Sequence, residues 1–485
     1  VDSGDGLRNR SVRGAVFTAG AGAVESFVRL AATIALARLL SPEEIGLVSM
    51  VMVIIGLVEF IKDLGLGIVT VQRQEITQRE VSSLFWINVL LGVLFAVLLC
   101  AISPLVDDFY GDHRLDSITI ALAATLVLSG ASVQHEALLS RQMKQGQIAL
   151  VRLLSTTFSS LSAIGFALTG FGYWSLVVRE IARAVVYLVG VWWHARWLPS
   201  LVLRAREVSS HLRQGVQLSS SFLLTAVMRQ IDGVMVGKYF GAADLGIYRQ
   251  AQGLVVAPIE QFNAPVFGVA QPGLSSLQTN PERYCRYYQR MVAFVAMVTM
   301  PVGVFVAAYS EEFTIVALGA KWAAAAPFVC AFALAMSIRP TVHTCTIVLV
   351  TLGRSSPLLA LEIANALLFT LFMFVGLQFS ALAVAIAFVV VTVILAPARI
   401  HYSFKDSPVS FAAMFDAIQM SLVSCVVMYL SLMAFRHFVT FGSRPGTLVA
   451  GIAVGTAAYL LTWLAVPKGR NELRSILHDI ASAMR

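Results

Sequence analysis

Charge is what this chain has least of. Of its 485 residues only 13% are Asp, Glu, Lys or Arg, while 58% are hydrophobic and the mean hydropathy is +0.79. A soluble domain carries about 25% charged residues, so most of this length must be buried in lipid. Cysteine is also sparse. Cys100, Cys285, Cys330, Cys345 and Cys425 include no CxxC spacing, which supports neither a disulfide framework nor a metal site. The eight histidines are scattered. No G-x-x-x-x-G-K-[ST] phosphate loop is present, which argues against an ATP-driven pump built on this chain alone. No Ser/Pro/Gly-rich linker or charge block sets off a soluble domain. No catalytic residue, metal or cofactor is expected.

What the chain has in abundance is long apolar runs. A membrane-spanning helix needs about 20 mostly apolar residues. Fourteen runs meet that length: 14–36, 45–66, 82–103, 117–138, 148–169, 174–194, 214–236, 246–268, 291–310, 323–350, 356–377, 380–398, 411–433 and 447–466. The run at 14–36 is too long for the apolar stretch of a cleavable signal peptide, and it contains Glu25 and Arg29. It reads as the first span.

Lys and Arg orient the spans. With the N-terminus cytoplasmic, the inner segments hold 21 of them and the outer loops six: Arg38, Arg114, Lys238, Lys321, Arg436 and Arg444. That bias over short loops predicts cytoplasmic N- and C-termini. The net charge of +8 and pI near 9.4 thus reflect topology, and nucleic acid is not an expected partner.

One loop is written twice. Ala37–Met50 reads ARLLSPEEIGLVSM and Gly237–Gln250 reads GKYFGAADLGIYRQ, an offset of 200 that aligns Arg29 with Arg229, Arg38 with Lys238, Glu44 with Asp244 and Gly46 with Gly246. In so apolar a chain this predicts two similar helix bundles, a common transporter plan.

Charges inside the spans carry the functional information, because one at the bilayer centre costs about 2.5–3.5 kcal/mol on insertion scales. The basic ones are Arg29, Lys62, Arg152, Arg179, Arg183, Arg229, Arg249 and Arg339. Arg152 lies near a helix end where it can snorkel, and Lys62 with Asp63 reads as interfacial. Arg29 has Glu25 one turn before it, and its repeat mate Arg229 has Asp232 three residues on. Arg179 and Arg183 share a face beside Glu180, as a structural cluster or a cavity rim. Arg339 precedes Pro340, whose ring can free carbonyls to line a cavity. A cavity lined by Arg29, Arg229, Arg249, Arg339, Arg179 and Arg183 predicts an anionic substrate, since guanidinium groups bind phosphate bidentately and stay charged. Glu25, Asp232 and Glu260 are candidate charge partners, or carriers of a coupling ion.

Several stretches, taken in order, resemble the Wzx-type polysaccharide transporter branch of the MOP flippase superfamily. They are DLGLGIVTVQRQEIT at Asp63–Thr77, SSLFWINVLLGVLFAVLL, SPLVDDFYGDHRL at Ser103–Leu115, GFGYWSL at Gly170–Leu176, QPGLSSLQTNPERYCRYYQR at Gln271–Arg290, LGAKWAAAAPF at Leu318–Phe328 and LGR at Leu352–Arg354. The resemblance implies an all-α polytopic membrane fold of about 14 helices, MOP/MATE-like. An N-lobe at 1–200 would hold spans one to six and a C-lobe at 201–400 spans seven to twelve, with two helices at 401–466 and a cytoplasmic amphipathic tail at 467–485. It implies a flippase of the bacterial inner membrane that moves undecaprenyl-pyrophosphate-linked oligosaccharide units to the outer leaflet for exopolysaccharide, capsule or lipopolysaccharide O-antigen synthesis. Coupling to a proton, sodium or membrane-potential gradient, and partnership with a polysaccharide polymerase and a chain-length regulator, stand as open expectations. A MATE-like cation exporter would call for an acidic cavity instead. A membrane glycan polymerase or ligase would call for a larger outer loop with paired acid/base residues.

Overall fold

Apolar runs of this length can satisfy their backbone polar groups in lipid only as helices, and helices are what the computed structural model contains. It describes the backbone of residues 4–63, 65–73, 75–202, 209–438 and 443–471, and the side chains of residues 18, 20–62, 65–73, 75–202, 230–438 and 443–471. In chain order the helices are α1 (Gly4–Leu39), α2 (Pro42–Asp63), α3 (Leu66–Gln72), α4 (Gln78–Tyr110), α5 (Arg114–Arg141), α6 (Gln145–Leu168), α7 (Trp174–Ala195) and α8 (Ser209–Ser276). After them come α9 (Pro281–Ala308), α10 (Ser310–Leu318), a 3-10 turn (Ala320–Ala325), α11 (Ala326–Thr351), α12 (Ser355–Gly376), α13 (Ala381–Phe404), α14 (Phe411–Phe438) and α15 (Arg444–Ala465).

Among the described residues, 12 helices are long and apolar enough to cross a membrane. The expected span at 174–194 is also present, as the 22-residue α7, whose Arg179, Glu180 and Arg183 lower its hydropathy. The expected span at 214–236 falls in α8, where side chains before Gln230 lie outside the described residues. So do residues 472–485, and with them Leu473, Ile476, Leu477, Ile480 and Met484 of the amphipathic tail.

Local chemistry sets the helix ends. Thr77 and Glu80 form a reciprocal capping box at the start of α4, and Gly111 closes that helix with φ 77°. Ser41 and Glu44 do the same for α2: the Ser41 N–H donates to the Glu44 carboxylate at 2.7 Å, and the Glu44 N–H to the Ser41 hydroxyl at 3.3 Å. This is the SPEE signature of a helix start. In the second copy of the loop the matching position is Gly241, at φ 84° and ψ −176°, which breaks α8 into two helical segments. Only glycine adopts that backbone without strain. Helix α11 runs unbroken through Pro340, packed on α9 and α13, with one ladder bond lost to the proline ring.

The chain divides into two compact units, Val1–Arg249 and Gln250–Arg485. In the first, α4 pairs with α5, and α6 packs on α1 and α7, with α5 against α7. In the second, α11 packs on α9 and α13, α14 on α9 and α15, and α12 on α13. The core of the second unit is rich in aromatic and sulfur side chains, including Tyr284, Tyr288, Tyr309, Met291, Met414, Met420 and Trp463.

The two copies of the repeated loop meet inside the first unit. A methyl group added at Gly46 would fall on the Ala242 carbonyl, and one added at Gly246 would fall on the Pro42 carbonyl. The contact is reciprocal at the same offset of four residues, so the backbones cross at a distance only glycine permits. Nearby, Arg114 joins Glu43 at 2.5 Å and Asp112 at 2.6 Å, and Lys238 reaches the Phe109 carbonyl and lies 4.7 Å over the Phe109 ring. The turn between α4 and α5 therefore holds both copies.

Candidate functional site

The first unit carries a face of charged side chains on helices that cross the membrane. On α1, Arg29 and Glu25 are one turn apart and pair at 2.7 Å. Thr156 of α6 donates to the same Glu25 oxygen at 3.2 Å. The Arg29 side chain remains 55% exposed. On α7 the buried Glu180 sits between Arg179 and Arg183, with ion-pair distances of 2.9 Å to each. Arg183 is near enough to Glu25 of α1 and Glu59 of α2 to feel their charge. Arg152 of α6 pairs with Glu136 of α5 at 2.5 Å, with the Tyr187 hydroxyl beside them. Arg152, expected to snorkel, has a specific acidic partner.

A second cluster lies on α8. Asp232 is buried and accepts from the Tyr248 hydroxyl at 2.8 Å and from Arg249 at 3.3 Å. Its first oxygen also takes the Gly233 N–H at 2.7 Å, and Arg249 donates to Gln230 at 3.3 Å. Two glycines make room here. A side chain at Gly233 would strike the Arg249 guanidinium, and one at Gly56 of α2 would come within 2.9 Å of the Gln230 amide. Glu59 follows Gly56 by three residues and so shares its side of α2. Helix α2 thereby runs past both clusters.

The second unit holds its intramembrane charges as separate pairs. Arg339 lies 3.8 Å from Glu260 and 4.7 Å over the Phe388 ring. Arg399 pairs with Glu362 at 3.1 Å and donates to Thr346 at 3.0 Å. Asp416 pairs with Lys468.

Of the six arginines expected from the sequence, Arg29, Arg179, Arg183 and Arg249 thus belong to the first unit and Arg339 to the second, while the Arg229 side chain lies outside the described residues. Each of the three candidate acids stands beside a guanidinium: Glu25 by Arg29, Asp232 by Arg249 and Glu260 by Arg339. Sequence reasoning missed Tyr248, Gln230 and Tyr187, whose neutral side chains give no warning of a network. It placed Arg399 in an inner segment, whereas the residue sits within α13 with its side chain 11% exposed. Lys62, expected at the interface, is fully buried. A charged side chain so enclosed is costly unless compensated.

Outside the spanning helices, hydrogen bonding to Arg114 holds Asp112 below the usual carboxylate range, and a hydrogen bond to Asp107 raises His113 above its ordinary value. No group of His, Cys, Asp and Glu able to hold a metal occurs among the described residues.

The polysaccharide biosynthesis protein family matches residues 35–327. The teichuronic acid biosynthesis protein TuaB of Bacillus subtilis (strain 168) is 25% identical over 350 residues, covering 69% of this chain and 70% of TuaB. The succinoglycan biosynthesis transport protein ExoT of Rhizobium meliloti (strain 1021) is 24% identical over 456 residues, covering 93% of this chain and 91% of ExoT. Among solved structures, the lipid II flippase MurJ superposes with a TM-score of 0.73 at 13% identity, over 92% of this chain and 98% of MurJ. A multidrug resistance MATE family transporter of the MOP superfamily gives 0.57 at 15% identity, over 80% and 97%. These likenesses establish a shared fold, and the family match covers more than half of the chain. The chain is a multi-pass membrane protein and belongs to the polysaccharide biosynthesis protein family.

Proposed function

We propose that this protein is a transporter that moves undecaprenyl-pyrophosphate-linked oligosaccharide units from the inner to the outer leaflet of the bacterial inner membrane. The observation that carries the reading is the charged face of the first unit, where Arg29 and Arg183 are held by carboxylates yet stay half exposed within spanning helices. Carrying a charged headgroup through hydrocarbon unaided would strip its hydration at prohibitive cost. Guanidinium groups replace that hydration and remain charged while doing so. The names of ExoT, a succinoglycan biosynthesis transport protein, and MurJ, a lipid II flippase, point the same way.

In this reading Arg29, Arg229, Arg249, Arg339, Arg179 and Arg183 contact the anionic headgroup or its glycan. Two six-helix lobes, 1–200 and 201–400, rock in alternating access, with two further helices at 401–466 and both termini cytoplasmic. Glu25, Asp232 and Glu260 are the places where a proton or sodium ion would couple. A polysaccharide polymerase and a chain-length regulator would act on the delivered unit.

Purified protein in liposomes loaded with a fluorescent lipid-linked oligosaccharide tests this directly. Transfer between leaflets without new glycosidic bonds is expected. Joining of glycan units with no transfer would defeat the proposal. In cells, Arg29→Ala and Arg229→Ala should each abolish polysaccharide export at unchanged membrane abundance. Full export by both would remove them as headgroup contacts.

A further inference from the structure

The Arg179–Glu180–Arg183 cluster has a geometry that a simple ion pair does not need. Glu180 is buried, and all four of its hydrogen bonds come from the two arginines. One oxygen takes Arg179 Nε at 3.0 Å and Nη2 at 2.9 Å. The other takes Arg183 Nε at 3.1 Å and Nη2 at 2.9 Å. A carboxylate offers about four lone-pair sites, so Glu180 is saturated. Each guanidinium therefore spends its Nε/Nη2 edge on Glu180 and keeps its Nη1/Nη2 edge. Neither guanidinium makes another hydrogen bond among the described residues. The side chains of Arg179 and Arg183 are 34% and 51% exposed against 8% for Glu180.

We infer that Glu180 is a positioning residue. It aims two end-on guanidinium edges at one oxyanion without touching that oxyanion itself. The ligand class is a group offering paired acceptor oxygens, which the proposed substrate has in its diphosphate and would also have in a sugar carboxylate. Fixed forks suit such a group because bidentate guanidinium recognition depends on planar alignment as well as charge. This inference rests on the function proposed above and deepens one part of it.

Charge and position make opposite predictions, which allows a clean test. Glu180→Gln adds one net positive charge to the cluster. If charge alone matters, anions bind tighter; if Glu180 positions the arginines, they bind more weakly. Full-length protein in nanodiscs is titrated calorimetrically with inorganic pyrophosphate and, separately, with glucuronate. In Glu180→Gln we expect about a tenfold loss of affinity, the scale of one well-oriented charge-assisted hydrogen bond, and a return toward wild type in Glu180→Asp. The probe whose binding falls identifies the source of the oxyanion. Unchanged or tighter binding of both probes overturns the inference.

Glu180→Gln could unfold the bundle, so a second variant keeps the charges. Arg179→Lys with Arg183→Lys retains both positive groups and the ion pairs but has no planar fork. About tenfold weaker binding is again expected, and wild-type binding overturns the inference. Leaflet transfer by wild-type protein is measured in parallel. Variants that bind and transport like a working wild type sink the positioning role and leave the flippase intact. A wild type that binds neither probe and transfers no lipid-linked glycan sinks both.

Discussion

The two units mix charged and neutral polar groups in different proportions. In the first, helices α1, α5, α6, α7 and α8 carry carboxylate–guanidinium pairs: Glu25–Arg29, Glu136–Arg152, Glu180 with Arg179 and Arg183, and Asp232–Arg249. The second has the pairs Arg339–Glu260 and Arg399–Glu362 and, within its packed core, a set of neutral bonds. Tyr284 and Thr351 share a hydrogen bond of 2.6 Å, Tyr288 and Thr344 one of 2.9 Å, and Tyr459 donates to the Met297 carbonyl at 3.2 Å. Neutral hydrogen bonds can be enclosed at modest cost, whereas charges must be paired and networked. Under the proposed function, Arg29, Arg179, Arg183 and Arg249 would meet the anion from the first unit and Arg339 from the second.

The largest effect should come from breaking a charged network. Asp232→Ala leaves Arg249 and the enclosed Tyr248 hydroxyl without their carboxylate, and should destabilise by about 3–5 kcal/mol. Thermal unfolding in detergent would show it as a large drop in midpoint. Next come the crossing glycines: Gly46→Ala and Gly246→Ala each force a methyl group onto a carbonyl and should cost about 1–3 kcal/mol, with matching midpoints. Unequal losses would mean that the crossing is not reciprocal in practice. In the second unit, Tyr288→Phe removes the hydroxyl's neutral bonds to Thr344 and, more weakly, Cys345, and should cost about 1 kcal/mol. A loss there as large as that of Asp232→Ala would erase the contrast between the units.

The smallest effect concerns pH. His113 pairs with Asp107 at 2.8 Å, and its raised pKa means that the protonated form is favoured by folding. That contribution is fully present below the unfolded value and is lost as pH rises through the folded one. The corresponding loop-end pairs of the second unit, Arg436–Glu312 and Arg444–Glu311, contain no histidine. Melting curves of wild type and His113→Asn should therefore converge as pH rises past neutrality. A gap that persists unchanged at pH 9 would exclude the ion pair as its cause.

Much of this was legible in the residues. Apolar runs near the bilayer length gave the spans, because lipid leaves the backbone no alternative to helix. The cluster at Arg179, Glu180 and Arg183 was visible from its spacing along one helix. Which member would be enclosed was not, since burial of Glu180 depends on how α7 meets α5 and α6. The short α3 has seven residues and left no periodic signal. The Tyr248–Asp232 bond joins residues on either side of the break at Gly241, so no single-helix pattern could reveal it. Arg399 fell outside the expected span because hydropathy falls toward the end of α13 while the helix itself continues to Phe404.

The glycine crossing also bears on how the two halves of this sequence can change over time. A duplicated segment ordinarily leaves one copy free to drift while the other keeps its role. Here Gly46 is fenced by a carbonyl of the second copy, and Gly246 by a carbonyl of the first. Neither position can gain a side chain without moving the backbone of its counterpart, so two sites 200 residues apart share a single inheritance. Substitution is then expected at both together or at neither.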